Sequence, residues 1–319
     1  MVAISIQIEG QDGLTWPRWK KLVHEVESLG FAGLYRSDHF TNSWPPEKDS
    51  LEMIVSLTYL ADHTQRLTFG PLVAPISFRH PALLVRQAAA LDDLSGGRMI
   101  LSLGAGWNER EHALFGLDLG DIPTRMARFE EGLEVITRLL RSDEPVTFEG
   151  QYFRLREAIL LPRPQRPGGP PILIGGTGPR RTLPLVARYA DIWNVLGLTP
   201  DAFSERSSTL DALLQAEGRK PGDVRRTMML ALLFGRDMDE LDRQLDQRRA
   251  APELANKSLE EAIETVEARG YALIGTPERI IQRIQFLASI GIDELMLQWF
   301  EMDDIDRLRA FAESVLPHL

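Results

Sequence analysis

The chain has 319 residues, 44% hydrophobic and 26% charged, so it can bury a substantial core as one large α/β domain or two smaller ones. Its formal net charge of −10 argues against nucleic acid or an anionic membrane surface as a partner, because both require clustered lysine and arginine. The absence of cysteine excludes disulfides, thiolate zinc sites and cysteine nucleophiles, and it fits a reducing cytoplasm. The N-terminus lacks a signal-peptide pattern and no run of about 18 apolar residues occurs, so we expect a cytoplasmic protein without a membrane span.

Short apolar segments alternate with amphipathic helical patterns along the whole chain. Eight segments are predicted as strands: 2–8, 33–36, 67–73, 99–103, 171–174, 191–196, 226–234 and 294–299. Eight βα repeats predict a closed parallel (β/α)8 TIM barrel, and we expect one domain over residues 1–319. Two segments interrupt the rhythm and are predicted insertions: a short hairpin near 146–161 and a charged helical segment near 238–268.

The second predicted strand runs directly into an acid and a histidine, Asp38 and His39. In a parallel barrel the carboxyl ends of the strands face the active site, so both side chains are candidates for chemistry. The alternative is structural: a helix cap, or a histidine whose hydrogen bonds are satisfied in the rim of the barrel.

The third predicted strand ends in small and proline-rich sequence around Pro71 and Leu72. Such a segment favours a bulge that presents backbone atoms to a ligand, although the prolines could simply end the strand. Arg79 and His80 follow, and they could contact an anion or only introduce the next helix.

The fourth strand empties into a turn that contains Gly106, Asn108 and Glu109. Glycine lets the backbone approach a planar ligand closely, Asn108 can cap the following helix, and Glu109 falls in the first turn of that helix. Glu109 could therefore serve as an acid, or it could only complement the helix dipole. Trp107 fits either the core or the site.

The fifth strand ends in a glycine-rich turn that precedes a helix and two arginines, Arg180 and Arg181. Backbone N–H groups of such a turn, together with the positive end of the helix dipole, favour phosphate. The motif lacks the Lys-Ser/Thr of a nucleotide P-loop and could be an ordinary tight turn. The predicted phosphate-binding residues are Gly175, Gly176, Thr177 and Gly178.

Several segments together resemble the bacterial luciferase-like monooxygenase superfamily, in the order in which that superfamily has them. They are SDHF, ILSLGAGWNEREHALFGL, RFEEGLEVITRLL, FEGQYFRL, PPILIGGTG and GTPERI, and they cover nearly the whole chain. The branch most similar in these motifs uses the deazaflavin coenzyme F420. The resemblance implies a luciferase-like TIM barrel that binds F420, or alternatively FMN, at the carboxyl face of the barrel.

The resemblance also implies roles for individual residues. His39 matches a histidine close to the deazaflavin, Glu109 matches a proposed proton donor, and Trp44 is the candidate for a catalytic tryptophan, although its segment TNSW departs from the family pattern. Asp38, Gly106 and Asn108 are assigned to cofactor binding, as is the glycine-rich turn. The Pro71–Leu72 bond matches a bulge where family members often carry a non-prolyl cis peptide.

The predicted function is that of an oxidoreductase, with F420-dependent hydride transfer to or from a small organic substrate. The alternatives are an FMN-dependent monooxygenase and a non-catalytic flavin-binding protein. A metal-dependent barrel hydrolase is disfavoured, because strand one lacks an HxH pair, and no metal site is predicted. We expect a homodimer, and substrate contacts from the loop at 40–48 and the segment at 238–268.

Overall fold

A computed structural model of the chain describes residues 2–246 and 257–319, and its architecture is an α/β barrel. Its strands are β1 (Ala3–Ile8), β2 (Gly33–Arg36), β3 (Thr68–Pro71), β4 (Ala74–Pro75), β5 (Leu101–Gly104), β6 (Val146–Glu149), β7 (Arg154–Ala158), β8 (Ile172–Gly175), β9 (Ile192–Leu196), β10 (Arg225–Phe234), β11 (Ala272–Gly275) and β12 (Glu294–Gln298). Apart from the β6–β7 hairpin, these strands form one parallel sheet in the order β3-β2-β1-β12-β10-β9-β8-β5-β4, and β11 pairs with β10.

The sheet closes into a barrel between its two ends. A parallel bridge joins Phe69 of β3 to Met99, just before β5, and the amide of Ile100 donates to the carbonyl of Phe69 over 2.8 Å. Gly70 makes this approach possible, because a Cβ at that position would lie 2.1 Å from the carbonyl oxygen of Ile100. The predicted parallel TIM barrel is thereby confirmed.

Helices surround the barrel on its outer face. They are α1 (Trp16–Ser28), α2 (Met53–His63), α3 (Pro81–Leu94), α4 (Glu109–Leu114), α5 (Ile122–Arg141), α6 (Thr182–Tyr189), α7 (Pro200–Ala216), α8 (Met238–Asp246), α9 (Leu259–Ala268), α10 (Pro277–Ser289) and α11 (Ile305–Val315). Among the described residues, no helix is long and apolar enough to cross a membrane.

Strand alternation separates two apolar layers. On β12, Leu295 and Leu297 belong to the large core between strands and helices, whereas Met296 belongs to a small cluster with Tyr35 and Leu173. Because successive side chains of a strand point to opposite faces, this small cluster fills the inside of the barrel. Side chains near the carboxyl ends of the strands therefore lie next to this apolar cluster, which forms the floor of the barrel interior at that end.

Two features of the sheet differ from the sequence prediction. The predicted strand 67–73 is divided into β3 and β4, and the non-prolyl cis peptide lies at Leu72–Val73 rather than at Pro71–Leu72, so that prediction was wrong by one bond. The sequence analysis also missed β11, a four-residue strand that pairs with the upper half of β10, from Ala231 to Phe234.

The two predicted insertions fall on different structures. β6 and β7 form an antiparallel hairpin outside the barrel sheet, and the carboxylate of Glu131 on α5 accepts the amides of Gln151, Tyr152 and Phe153 in its turn. In the second segment, α8 and α9 pack on the end of β10 and on β11. Residues 247–256 of that segment lie outside the described residues, and the assignment of both segments as insertions in one domain stays a prediction.

Candidate active site

A cavity of about 780 Å³ opens at the carboxyl ends of the barrel strands. Every sheet strand except β11 contributes to its wall, either directly or through the loop that follows it. The lining residues are Glu9, Gln11, Asp12, Ser37, His39, Asn42, Ser43, Leu72, Val73, Pro75, Gly104, Ala105, Gly106, Trp107, Gly175, Gly176, Thr177, Asn194, Leu196, Met229, Ala231, Tyr271, Gln298 and Phe300. This is the end of a parallel barrel at which enzymes of this architecture carry out chemistry.

His39 lies in the cavity wall and is held by a buried carboxylate. Its Nδ1 lies 2.7 Å from Oε1 of Glu111, and Oε2 of Glu111 accepts the amide of Phe40 over 3.1 Å. A carboxylate can only accept, so Nδ1 carries the proton and Nε2 is the ring nitrogen left for a ligand. Burial lowers the pKa of His39, but the hydrogen bond and the charge of Glu111 outweigh burial, so the pKa lies above its ordinary value.

The structure does not bring Glu109 to the cavity. Glu109 is the first residue of α4 and is exposed, whereas Glu111, two residues later, is fully buried against His39. Of the three groups expected to converge on one hollow, the imidazole and the glycine-rich turn do so and the Glu109 carboxylate does not. Trp107 lines the cavity instead, edge-on to His39 with ring centroids 5.5 Å apart.

Asp38 supports the loop of His39 from below rather than lining the cavity. It is buried and forms an ion pair with both terminal nitrogens of Arg79, one of which also contacts Glu52 over 2.7 Å. Burial lowers the pKa of Arg79, but Asp38 and Glu52 outweigh burial and raise it. Burial also raises the pKa of Asp38, although Arg79 and Arg36 oppose this shift. Because an arginine is always charged and bonds both carboxylate oxygens, the contact is an ion pair, and Asp38 does not line the cavity.

Trp44 lies apart from His39 and is 81% exposed. It lines a cleft that adjoins the central cavity and shares Asp12, Asn42 and Ser43 with it, but Trp44 itself does not line the cavity. The neighbouring Phe40 stacks on Phe78, with ring centroids 4.4 Å apart. The structure therefore gives Trp44 no contact with the central cavity, and Phe40 packs beneath a loop.

One wall of the cavity is flat and made of backbone and small side chains. Leu72 and Val73 follow β3, while Pro71 itself is buried in that strand and does not line the cavity. A Cβ added at Gly104 would lie 2.6 Å from Cγ2 of Val73, and Gly106 has φ +87°, which favours glycine. Asn108 lies behind this wall and caps α4, its side chain accepting the amide of Glu111.

The glycine-rich turn after β8 adjoins this wall, because a Cβ added at Gly175 would lie 3.0 Å from Cγ1 of Val73. Gly175, Gly176 and Thr177 line the cavity, and Gly176 has φ +131°. Gly178 lies just outside the lining, where its carbonyl oxygen accepts the amides of Thr182 and Leu183 at the start of α6. This arrangement places the turn at a helix N-terminus, which favours an anion.

Basic side chains flank the glycine-rich turn. Arg180 and Arg181 are exposed and form no ion pair within residues 2–246 and 257–319. Arg125 of α5 donates to the carbonyl oxygen of Gly106 over 3.3 Å, and its Nε is buried without a partner. The phosphate end of the cavity therefore carries a positive charge.

Sequence reasoning missed several residues of the cavity. Glu9, Gln298, Asn194 and Tyr271 line it, and Glu111 fixes its histidine. The position directly after strand β1 was the available signal for Glu9, because every strand end in a parallel barrel reaches the same rim. A second cleft, of about 640 Å³, lies outside the barrel between α5, α6 and the hairpin, and it shares no lining residue with the cavity.

The fold defines the class as a parallel α/β barrel with a large cavity at the carboxyl ends of its strands. A sequence profile of the luciferase-like monooxygenases matches residues 2–294. The chain belongs to the luciferase-like monooxygenase family. Among the described residues no cluster of three metal-ligating side chains occurs.

Individual relatives agree with this family. The chain is 28% identical to an F420-dependent glucose-6-phosphate dehydrogenase of Amycolatopsis mediterranei, covering 92% of each chain. Its fold resembles that of an F420-dependent secondary alcohol dehydrogenase in complex with an F420-acetone adduct (TM-score 0.80, 20% identity, 98% of this chain and 99% of that one). It equally resembles a monooxygenase from Streptomyces bottropensis (TM-score 0.82, 22% identity, 99% of both chains).

Proposed function

We propose that this protein is an F420-dependent oxidoreductase that transfers hydride between the deazaflavin and a small organic substrate. The observation that carries the proposal is the imidazole of His39, held by Glu111 in one tautomer with Nε2 left for the cavity. Relatives named as F420-dependent dehydrogenases over 92% of the chain support the choice of cofactor.

The cavity has the features that such a cofactor requires. We assign its phosphate to the turn of Gly175, Gly176 and Thr177, where backbone amides, a helix N-terminus and nearby arginines favour an anion. The flat wall of Leu72, Val73 and Gly106 suits one face of a planar ring. The bound cofactor would supply the hydride chemistry, and the protein would supply orientation and proton control.

His39 is proposed to handle the proton. In substrate oxidation the neutral imidazole would accept the hydroxyl proton at Nε2 while the carbon gives up hydride, and in reduction the imidazolium would return it. Glu111 stabilises the imidazolium, because it is buried and bonded to Nδ1. Trp107, edge-on to the imidazole, helps to screen this proton from water.

An FMN-dependent monooxygenase is the second candidate, because the fold matches a monooxygenase as closely as it matches an F420 enzyme. Titration of the purified protein with F420 and with FMN, followed by fluorescence, separates the two. We expect saturable F420 binding that is tighter than FMN binding. Tight binding of FMN alone would reject the proposal in favour of the monooxygenase, and cofactor binding without turnover of any substrate would favour a non-catalytic flavin-binding protein.

We also propose a cytoplasmic homodimer. The cysteine-free composition supports a reducing compartment, and the resemblance to the luciferase-like superfamily supports the dimer. Sedimentation velocity at micromolar concentration checks the oligomeric state, and a species of about 36 kDa would contradict it, because the chain itself has a mass of 35.9 kDa.

A further inference from the structure

Four polar residues lie at one side of the cavity, and we call them the acceptor cluster: Gln7, Glu9, Gln11 and Gln298. Glu9, Gln11 and Gln298 line the cavity, whereas Gln7 is fully buried. The carboxylate of Glu9 is at the centre of the cluster. Oε1 of Glu9 accepts Nε2 of Gln298 over 2.6 Å and Nε2 of Gln7 over 3.1 Å, and Oε2 accepts Nε2 of Gln11 over 2.7 Å. The cluster thus contains one carboxylate that receives three amide donors.

Each of the three glutamine amides donates one hydrogen bond to Glu9, so the chain itself holds the carboxylate in place. Oε1 of Gln7 is buried and has no hydrogen-bond partner, in a side chain that is fully buried beside Gln298. Oε1 of Gln11 already accepts the hydroxyl of Ser37 over 2.6 Å. Oε2 of Glu9 receives one donor and has room for another, since each carboxylate oxygen has two lone pairs. Because Gln7 does not line the cavity, the carboxylate of Glu9 is the acceptor that the cluster offers to a ligand.

The charged residues on this side of the cavity also favour a hydrogen-bond donor over an anion. Glu9 forms no ion pair with any residue in the described ranges, whereas the neighbouring Asp12 is neutralised by Lys48. His39 together with Glu111 is neutral overall when the imidazole is protonated. No lysine or arginine lines the cavity within the described part of the chain. Glu9 acts to raise the pKa of the buried Arg36 and of His39, so it interacts with both groups without a direct ion pair.

We propose that the acceptor cluster selects the substrate of this oxidoreductase: an organic molecule that brings a hydrogen-bond donor, a hydroxyl or an ammonium group, and carries no phosphate or carboxylate on that side. The inference rests on the proposed function, because it names the substrate class of the same site. It separates this chain from relatives named glucose-6-phosphate dehydrogenases. An anionic group beside Glu9 would meet a like charge there.

Three probes with one carbon skeleton test the proposal: cyclohexylammonium, cyclohexanol and cyclohexanecarboxylate. F420 is first titrated into the wild type and into Glu9→Gln, and each probe is then titrated into the loaded protein by calorimetry at pH 7. We expect the ammonium probe to bind at least about tenfold more tightly than the carboxylate, the scale of one charge-assisted hydrogen bond. In Glu9→Gln the ammonium probe should lose most of that advantage.

Glu109→Gln is the matched control, because it removes the same charge from an exposed residue outside the cavity and should leave the order of the probes unchanged. The inference is overturned if the carboxylate binds as tightly as the ammonium, if Glu9→Gln keeps the full preference, or if none of the probes binds. Failure of F420 to bind would reject the proposed function instead, and the same probe series on the cofactor-free protein would still decide the role of the cluster.

Discussion

Two glutamates in the same short helix occupy opposite environments. Glu109 and Glu111 are two positions apart, and at about 100° per residue they point roughly 200° apart around the helix axis. The Asn108 cap and the start of α4 were predictable from the sequence, because a capping residue and an acidic first turn indicate a helix N-terminus. Which carboxylate faces His39 was not predictable, since it depends on how the helix is rotated against the loop after β2.

Replacing Glu111 by glutamine should lower the pKa of His39. The variant removes the charge of Glu111 and leaves burial, which lowers this pKa, opposed only by the smaller effects of Glu9 and Asp38. If neutral His39 acts as the base in substrate oxidation, kcat/KM increases as the pH rises through its pKa. In the variant, the rise of kcat/KM with pH should then occur at lower pH. The maximal kcat should fall by a factor of roughly 10² or more. NMR titration of the imidazole and a pH–rate profile measure both effects.

Glu109→Gln serves as the comparison for this experiment. The residue is exposed and does not contact His39, so its loss should leave the imidazole pKa and the pH–rate profile within error of the wild type. A collapse of activity in this variant, with Glu111→Gln unaffected, would restore Glu109 as the proton donor.

The ion pair beneath the His39 loop should be important for stability. Replacing Arg79 by methionine leaves Asp38 buried without its partner, at a cost of about 3–5 kcal/mol in the free energy of unfolding. Adding Asp38→Asn removes the stranded charge and should recover part of that loss. Urea denaturation of the two variants measures the difference, and equal stability of both would show that the pair contributes little.

At the scale of elements, α4 joins the loops of three strands. Glu111 holds His39 of the loop after β2, and Asn108 anchors α4 to the end of β5. Nδ1 of His112 lies 2.7 Å from the carbonyl oxygen of Asn108 and therefore donates to it, so in the neutral ring Nε2 accepts the hydroxyl of Ser77 from the loop after β4 over 2.8 Å. A six-residue helix thus fixes the relative positions of the cofactor wall and the proton-handling group.

Closure of the barrel depends on a glycine in β3. In Gly70→Ala the new methyl group would meet the carbonyl oxygen of Ile100, a backbone atom that cannot move aside without opening the sheet. We expect a loss of about 2–3 kcal/mol or more in the free energy of unfolding. Gly222→Ala is the control, because no atom lies within 4 Å of its added Cβ and it should change stability by less than about 0.5 kcal/mol.

The strands show how far periodicity carries a fold prediction. Eight segments with strand character correspond to the barrel, because strands buried on both faces give continuous apolar runs. The sequence analysis did not predict β11, because its four residues are followed almost at once by the Thr-Pro sequence at the start of α10. That sequence indicates the beginning of a helix. The break between β3 and β4 depends on closure against β5, and that contact between distant segments leaves no local signal.

On the scale of the whole molecule, the two ends of the barrel have different tasks. At the amino-terminal end Glu294 is buried, and its carboxylate accepts the hydroxyl of Ser5 over 2.5 Å and contacts Arg225 over 3.0 Å. Burial raises the pKa of Glu294, although Ser5 and Arg225 oppose this shift. The opposite end holds His39, the acceptor cluster and the glycine-rich turn.

Glu294→Gln should alter stability without altering the site. A raised pKa means that the folded state binds the proton more tightly than the unfolded state, so wild-type stability falls as the pH rises from the ordinary carboxyl value through the folded pKa. The variant should lose this part of the pH dependence and bind F420 with unchanged affinity. Thermal unfolding from pH 4 to pH 8 and an F420 titration test both parts, and weakened F420 binding would contradict the separation of the two ends.

Some residues of the candidate site were predictable from the sequence and others were not. His39 and the turn at Gly175 to Thr177 were identifiable because each directly follows a strand. Trp44 was not excluded by the sequence, because exposure depends on where its loop lies. Glu9 follows a strand too, but only the three glutamine amides around it, from β1, β12 and the loop after β1, mark it as part of a site.

The framework beneath Glu9 has a consequence for engineering. Gln7 and Gln298 belong to β1 and β12, which pair side by side with Gln7 opposite Gln298. A mutant library that exchanges the rim segments but keeps residues 9–11 should therefore keep the proposed preference for uncharged or positively charged molecules, because Glu9 and Gln11 belong to the loop after β1. Acceptance of acids would require mutation of Glu9 or of the glutamines that hold its carboxylate.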